Sequence, residues 1–214
     1  ATVRVLDATT GITGGATLTV TDATLVSLAI TPPAPQIALG TSVQLVATGT
    51  FTDATTQDLT ATVDWSSSDG AIASVVAGLA QGASTGAATI TATDPATGVE
   101  TSVALTVTPA VLVSIGVTPA TPSIALGTSQ PFVATGTYSD STVQDLTTSV
   151  TWASSAPAVA TVDGAGFASS VSTGATVITA TDPATMIAGD TTLTVTAAAL
   201  VSIAVTPVPP SLEL

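Results

Sequence analysis

Apolar and polar positions alternate strictly along several short stretches of the chain. Thr89-Ile90-Thr91-Ala92-Thr93 and Leu105-Thr106-Val107-Thr108 show the pattern, as do Leu18-Thr19-Val20-Thr21 and Leu193-Thr194-Val195-Thr196. A period of two, rich in β-branched residues, predicts strands with one face in a core and the other in water. Threonine suits the wet face because it is β-branched yet carries a hydroxyl. Between the runs stand turn signals: Pro32-Pro33-Ala34-Pro35, Gly40, Gly49, Asp69-Gly70, Gly78, Gly82, Gly86 and Asp94-Pro95. The alanines are scattered among Thr and Val and form no 3.6-residue stripe, which argues against helix.

The strands recur in a larger period. LVSLAITP at 25–32 returns as LVSIGVTP at 112–119 and LVSIAVTP at 200–207. FTDATTQDLT at 51–60 returns as YSDSTVQDLT at 138–147, Trp65 as Trp152, and ATITATDPAT at 88–97 as TVITATDPAT at 176–185. The leucines at 25, 112 and 200 set spacings of 87 and 88 residues, the extra residue falling where Asp163-Gly164-Ala165-Gly166 replaces Val76-Ala77-Gly78. An insertion confined to a turn is what a folded repeat tolerates. The register divides the chain into the last strands of a preceding repeat (1–24), complete repeats at 25–111 and 112–199, and the first strand or strands of another (200–214). It reads as a window of a longer array.

Seven or so short strands in under 100 residues predict an all-β antiparallel sandwich for each repeat. In the second repeat they fall near 112–118, 123–126, 131–139, 148–154, 158–162, 166–172, 175–182 and 191–197. The expected core there is Ile115, Val133, Trp152, Val159, Val162, Phe167, Ile178, Leu193 and Val195. Its first-repeat counterparts are Leu28, Leu45, Trp65, Ile72, Val75, Leu79, Ile90, Leu105 and Val107.

Composition narrows the function classes. Among 214 residues there is no Cys and no His, and Arg4 is the single basic residue. The imidazole base, the thiolate, the Schiff-base amine and the usual zinc ligands are therefore absent together. A formal charge of −13 repels a phosphate backbone, so no nucleic-acid partner is expected. Mean hydropathy is high at +0.66, but Thr and Ser break every apolar run well short of the roughly 20 residues that span a bilayer. No membrane insertion is expected in this segment. The opening ATVRVLDATTG shows no basic region followed by an apolar block, so no signal peptide is expected in it. Absence of Cys fits either a reducing compartment or a disulfide-free surface protein.

The order LVSIGVTP, SIALGTSQPFVATGTYSD, VTWASSAPAVATVDGAGFAS, GATVITATDP and TTLTVT resembles the bacterial immunoglobulin-like (Ig-like) repeat of group 2. That family occurs in invasin- and intimin-like adhesins, other surface proteins and some phage structural proteins. The resemblance implies tandem, disulfide-free Ig-like β-sandwiches in a linear array outside the cytoplasm, and carries over no catalytic residue. The absence of Lys departs from many family members, which carry Lys and Asn on exposed loops. With neither residue in this chain, Lys–Asn isopeptide cross-links cannot form.

Candidate sites are few. Asp53 and Asp58 recur as Asp140 and Asp145 at the turn after the second main strand, and Asp64 and Asp69 follow in the first repeat. Calcium takes six to eight oxygen ligands, often several carboxylates, so the four recurring aspartates are its candidate ligands. No D-x-D-x-D-G run occurs, and Asp is an ordinary turn residue, which favours the structural reading. Asp7, Asp94 and Asp182 recur at the start of the last hairpin and read as turn initiators. Two carboxylates could serve glycoside hydrolysis, but aromatic content of 3% leaves few sugar-stacking platforms. Trp65 and Trp152 each follow a Val at spacing two, a core placement. No catalytic residue and no cofactor other than a possible calcium ion is therefore assigned.

The junctions Thr108-Pro109-Ala110-Val111 and Thr196-Ala197-Ala198-Ala199 contain no Gly or Ser and predict short, stiff connections. Partners are then the neighbouring repeats of the same chain, and through other regions copies of itself or host surface glycans and proteins. The expected function is a non-enzymatic extracellular stalk in an adhesin. A self-assembling filament, sheath or layer is the alternative, since 7% charged residues leave a Thr/Ser/Ala surface. Dense O-glycosylation of those Thr-rich faces is a further possibility. A phage virion protein binding host glycans rests on family analogy alone.

Overall fold

The computed structural model describes residues 1–198 and 200–204. It is all-β, with no helix among the described residues. A hairpin of β1 (Thr2–Leu6) and β2 (Thr13–Thr17) opens the chain. The first repeat follows as β3 (Leu25–Thr31), β4 (Gln36–Ala38), β5 (Ser42–Gln44), β6 (Val46–Phe51), β7 (Thr56–Asp58), β8 (Asp64–Ser67), β9 (Ala73–Val76), β10 (Leu79–Gly82), β11 (Gly86–Thr93) and β12 (Glu100–Thr108). The second repeats that order as β13 (Leu112–Thr118), β14 (Ser123–Ala125), β15 (Ser129–Pro131), β16 (Val133–Tyr138), β17 (Val143–Asp145), β18 (Thr151–Ser154), β19 (Ala160–Val162), β20 (Phe167–Ser170), β21 (Gly174–Thr181) and β22 (Ala188–Thr196). The chain divides into two compact units between Pro109 and Ala110.

Each repeat is an Ig-like sandwich built from the same three pieces. In the first they are β3-β6-β7, β5-β10-β9 and β4-β12-β11-β8; the second gives β13-β16-β17, β15-β20-β19 and β14-β22-β21-β18. Pairing is antiparallel except for β4 with β12 and β14 with β22, which run parallel. The prolines cause this exception to the expected antiparallel order. Proline cannot donate to a ladder, so Pro32-Pro33-Ala34-Pro35 ends the pairing of β3 with β6 and lets β4 join β12. The changeover is tied by the Thr106 amide on the Pro35 carbonyl at 3.0 Å and, in the second repeat, Thr194 on Pro122 at 2.9 Å.

The alternating strands supply the cores as expected. Leu28, Ile90, Leu105 and Val107 converge with Leu45 in the first, and Ile115, Trp152, Ile178, Leu193 and Val195 in the second. Trp65, Ile72, Val75, Val159 and Val162 are half-buried against them.

Three expected core residues face water instead. Val133 is 41% exposed, and the second repeat buries Phe132 at 1%. The 87-residue spacing pairs Leu45 with Phe132, not with Val133. Leu79 and Phe167 are 48% and 44% exposed, with Ala80 and Ala168 turned inward. Space decides this in the first repeat: an added Cβ on Gly82, the other inward residue of β10, would lie 2.8 Å from a Val107 methyl. In β10 so close an approach leaves room inside only for Ala80 and Gly82, and Leu79 takes the outer face.

The extra residue of the second repeat sits where the sequence placed it. In the first repeat Ala77 and Gly78 turn the chain between β9 and β10, both with positive φ, the geometry of the tightest hairpin turns. The longer loop from Asp163 to Gly166 is closed by the Asp163 carboxylate, which accepts from the Ala165 and Phe167 amides at 2.9 Å each.

Candidate functional site

The recurring aspartates and tryptophans meet at a residue the sequence reading passed over. Asp58 ends the short strand β7, where only a turn was expected. Its carboxylate accepts the Thr60 amide at 2.9 Å. The Thr60 hydroxyl accepts the Ala47 amide at 2.9 Å, and its carbonyl accepts the Trp65 indole N–H at 2.9 Å. The second repeat copies this: Asp145 with the Thr147 amide (2.9 Å), Thr147 with the Ala134 amide (3.1 Å), and Trp152 with the Thr147 carbonyl (2.8 Å). One threonine thus ties an edge strand, a buried strand and the core tryptophan together. Trp152 also meets Phe132, with ring centroids 6.4 Å apart. The tryptophans are core anchors whose polar edges are satisfied internally, as buried indoles require.

The other aspartates work within their own turns. Asp53 accepts the Thr55 amide at 3.0 Å and hydroxyl at 2.6 Å, and Asp140 does the same with Thr142 at the same distances. Asp94 holds the Thr97 amide and hydroxyl at 2.9 and 2.6 Å, and Asp182 those of Thr185 at 2.8 and 2.7 Å. Asp7 holds the Thr10 hydroxyl at 2.6 Å and the Thr9 amide at 2.9 Å. These are side-chain-to-backbone turns, the use to which Asp is suited. The signal for them was in the sequence as D-x-T at 7, 53, 58, 140 and 145 and as D-P-A-T at 94 and 182.

Donation from the threonines sets the electrostatics. The Thr55 hydroxyl, then its amide, hold Asp53 below the ordinary aspartate range. Thr60 does the same for Asp58, Thr142 for Asp140, Thr147 for Asp145 and Thr185 for Asp182. The Thr10 hydroxyl and the Thr9 amide lower Asp7. Hydrogen bonds to the charged form are the main cause throughout and outweigh a smaller opposing effect of desolvation.

The structure places each calcium candidate in a turn or at the end of an edge strand. Among the described residues it gathers no three carboxylates into a group able to hold a metal ion. The grooves are open strand surfaces, one lined by Thr91, Glu100, Thr101 and Ser102. Among the described residues no helix is long and apolar enough to cross a membrane.

The repeats are not identical inside. Ala88 and Val103 of the first become Thr176 and Thr191 in the second, both buried. Thr176 accepts the Ala156 amide at 2.9 Å and meets the Ser154 hydroxyl at 2.8 Å, while Thr191 accepts the Thr121 amide at 2.9 Å.

Known proteins resemble the chain in both sequence and fold. It is 46% identical over 195 residues to ice-binding protein 1 of Shewanella frigidimarina (strain NCIMB 400), a match covering 88% of this chain and 21% of that protein. The chain thus spans about a fifth of that relative. Similar solved structures include domains 1–6 of the surface-layer protein SbsC, at a TM-score of 0.40 and 18% identity, covering 93% of this chain and 32% of that one. Drosophila N-cadherin EC1–4 gives a TM-score of 0.40 at 14% identity, covering 80% and 49%. The pattern of the bacterial Ig-like domain (group 2) matches residues 25–107 and 112–195, most of the chain, and to that family the chain belongs.

Proposed function

We propose that the chain is a stretch of non-enzymatic Ig-like repeats from an extracellular protein, serving as a stiff spacer that holds a binding module away from its anchor. One observation carries the reading. The polar groups that recur between repeats are used for scaffolding: Asp58–Thr60–Trp65 returns bond for bond as Asp145–Thr147–Trp152. What has been copied is the means of folding. The connection supports the same reading, since only Pro109, Ala110 and Val111 separate β12 from β13, and none is a flexible Gly or Ser. Likeness to a protein named for ice binding supports a specific form of it, in which the longer protein displays an ice-binding surface and this segment supplies reach.

Scattering and sedimentation test the proposal. A spacer is a concentration-independent monomer longer than one sandwich, and it does not partition into growing ice. Reversible growth in mass would replace this reading with assembly into a filament or layer. Uptake of the chain into ice would place the binding surface on the repeats themselves.

A further inference from the structure

We infer that the array carries tensile load in a graded way: the first repeat yields to a pull that the second withstands, because Thr191 locks the second repeat's entering segment to its last strand. This rests on the spacer reading, since whatever joins an anchor to a binding module transmits the pull between them.

The argument begins where the chain enters and leaves each sandwich. In the second repeat the entering segment runs alongside β22 in the same direction. A Cβ added at Gly189 would collide with the Ile115 carbonyl, the Thr121 amide bonds Thr191, and Ser123–Ala125 pairs with Thr194–Thr196. The chain therefore enters beside the start of β22 and leaves from its far end. Pulling those ends apart slides the two segments past each other, so the bonds between them stretch together instead of parting one at a time. The first repeat shares this geometry, with Gln36–Ala38 pairing in parallel with Thr106–Thr108.

Most of the bonds loaded in this way are common to both repeats. The Thr106 amide meets the Pro35 carbonyl and the Leu39 amide the Thr108 carbonyl, as Thr194 meets Pro122 and Leu126 meets Thr196. The Thr108 hydroxyl donates to the Ile37 carbonyl at 3.2 Å, and the Thr196 hydroxyl to the Ile124 carbonyl at 3.2 Å. What differs is Thr191, which stands where the first repeat has Val103. Its hydroxyl accepts the Thr121 amide at 2.9 Å and donates to the Pro119 carbonyl at 3.3 Å, tying the proline crossover to β22 at two points. Thr191 is only 6% exposed, so water competes little for either bond. The same hydroxyl holds Thr121 at φ 47°, a conformation that a β-branched residue keeps only where its surroundings fix it. Val103 can make neither bond. Under rising tension the first repeat unfolds and lengthens the array while the second keeps its fold.

Single-molecule force spectroscopy on the 214-residue chain, held by its two ends, tests this. Two unfolding events are expected, the second at distinctly higher force. Thr108→Val should lower only the weaker event and Thr196→Val only the stronger, which assigns each event to its repeat. Thr191→Val should speed unfolding of the second repeat at a fixed load by about tenfold, the scale set by losing its hydrogen bonds. The two events should then draw together. Thr191→Ser keeps the hydroxyl and should restore most of the difference. Unfolding of both repeats at the same force in the unaltered chain overturns the inference. So does a Thr191→Val chain that loses stability to denaturant yet unfolds under load as the parent does, because the hydroxyl would then be a structural tie outside the load path. Assembly seen by scattering would remove the spacer reading alone, and the force traces would still decide whether Thr191 grades the two repeats.

Discussion

Met186→Gly should stabilise the second repeat. The last hairpin of each sandwich turns through one residue with positive φ, and the same turn closes the N-terminal hairpin. Gly11 (φ 70°) and Gly98 (φ 72°) hold this position, but the second repeat has Met186 at φ 62°. Its amide still bonds the Asp182 carbonyl at 2.9 Å, so the turn is fully formed around a side chain unsuited to it. A left-handed conformation costs an L-residue about 1–2 kcal/mol. Glycine removes that cost but loses about 0.5–1 kcal/mol more chain entropy on folding. Met186 is 72% exposed, so its removal forfeits little packing. The net expectation is a gain of about 0.5–1 kcal/mol, or about 2–8 °C in Tm for a domain of this size. Differential scanning calorimetry of the whole chain reads it as an upward shift of one transition. Met186→Ala separates the causes: alanine keeps the strained φ, so it should leave Tm within a degree. Gly98→Met should lower the first repeat's transition. A neutral or destabilising Met186→Gly, or an equal gain from Met186→Ala, would refute the reasoning.

Thr147→Val keeps the shape but strips the Ala134 amide of its acceptor inside the core, and should cost about 1–3 kcal/mol by chemical denaturation. Trp152→Ala should cost about 3–5 kcal/mol, and Trp65→Ala less, because Trp65 is only half-buried. An added methyl at Gly136 would lie 2.5 Å from a Leu146 methyl and 2.8 Å from one of Leu112, so Gly136→Ala should destabilise by about 1–3 kcal/mol. Asp53, Asp58, Asp140, Asp145 and Asp182 are held below the ordinary range, so the unfolded chain takes up their protons first as pH falls. Their stabilisation is complete above about pH 4 and is lost as pH drops through the lowered values; Tm against pH should flatten there when all five are changed to Asn. With each carboxylate bonded within its own turn, EDTA or added calcium should leave Tm unchanged. A calcium-dependent rise that Asp53→Asn and Asp140→Asn remove would instead establish a metal site.

Periodicity by itself determined the class of fold and the repeat unit. Strict alternation in Thr89–Thr93 and Leu105–Thr108 admits no element but a strand, and an 87- or 88-residue recurrence admits no unit but a single sandwich. These are local properties of the chain, legible without knowing what packs where. The aspartates read as turn residues needed no more than the local sequence either, since Asp53 and Asp140 bond the amide two residues on and need no distant partner. Tertiary structure decided the rest, because burial depends on the space left by the opposite sheet. Phe132 rather than Val133 fills the second core, and the close approach at Gly82 turns Leu79 outward and Ala80 inward. The role of Thr60 and Thr147 was hidden for the same reason: their hydroxyls reach amides 13 residues back, and their carbonyls a tryptophan five residues on. The parallel β4–β12 pair joins residues some 70 apart in sequence. No local pattern encodes such distances; they exist only once the sheets have closed on one another.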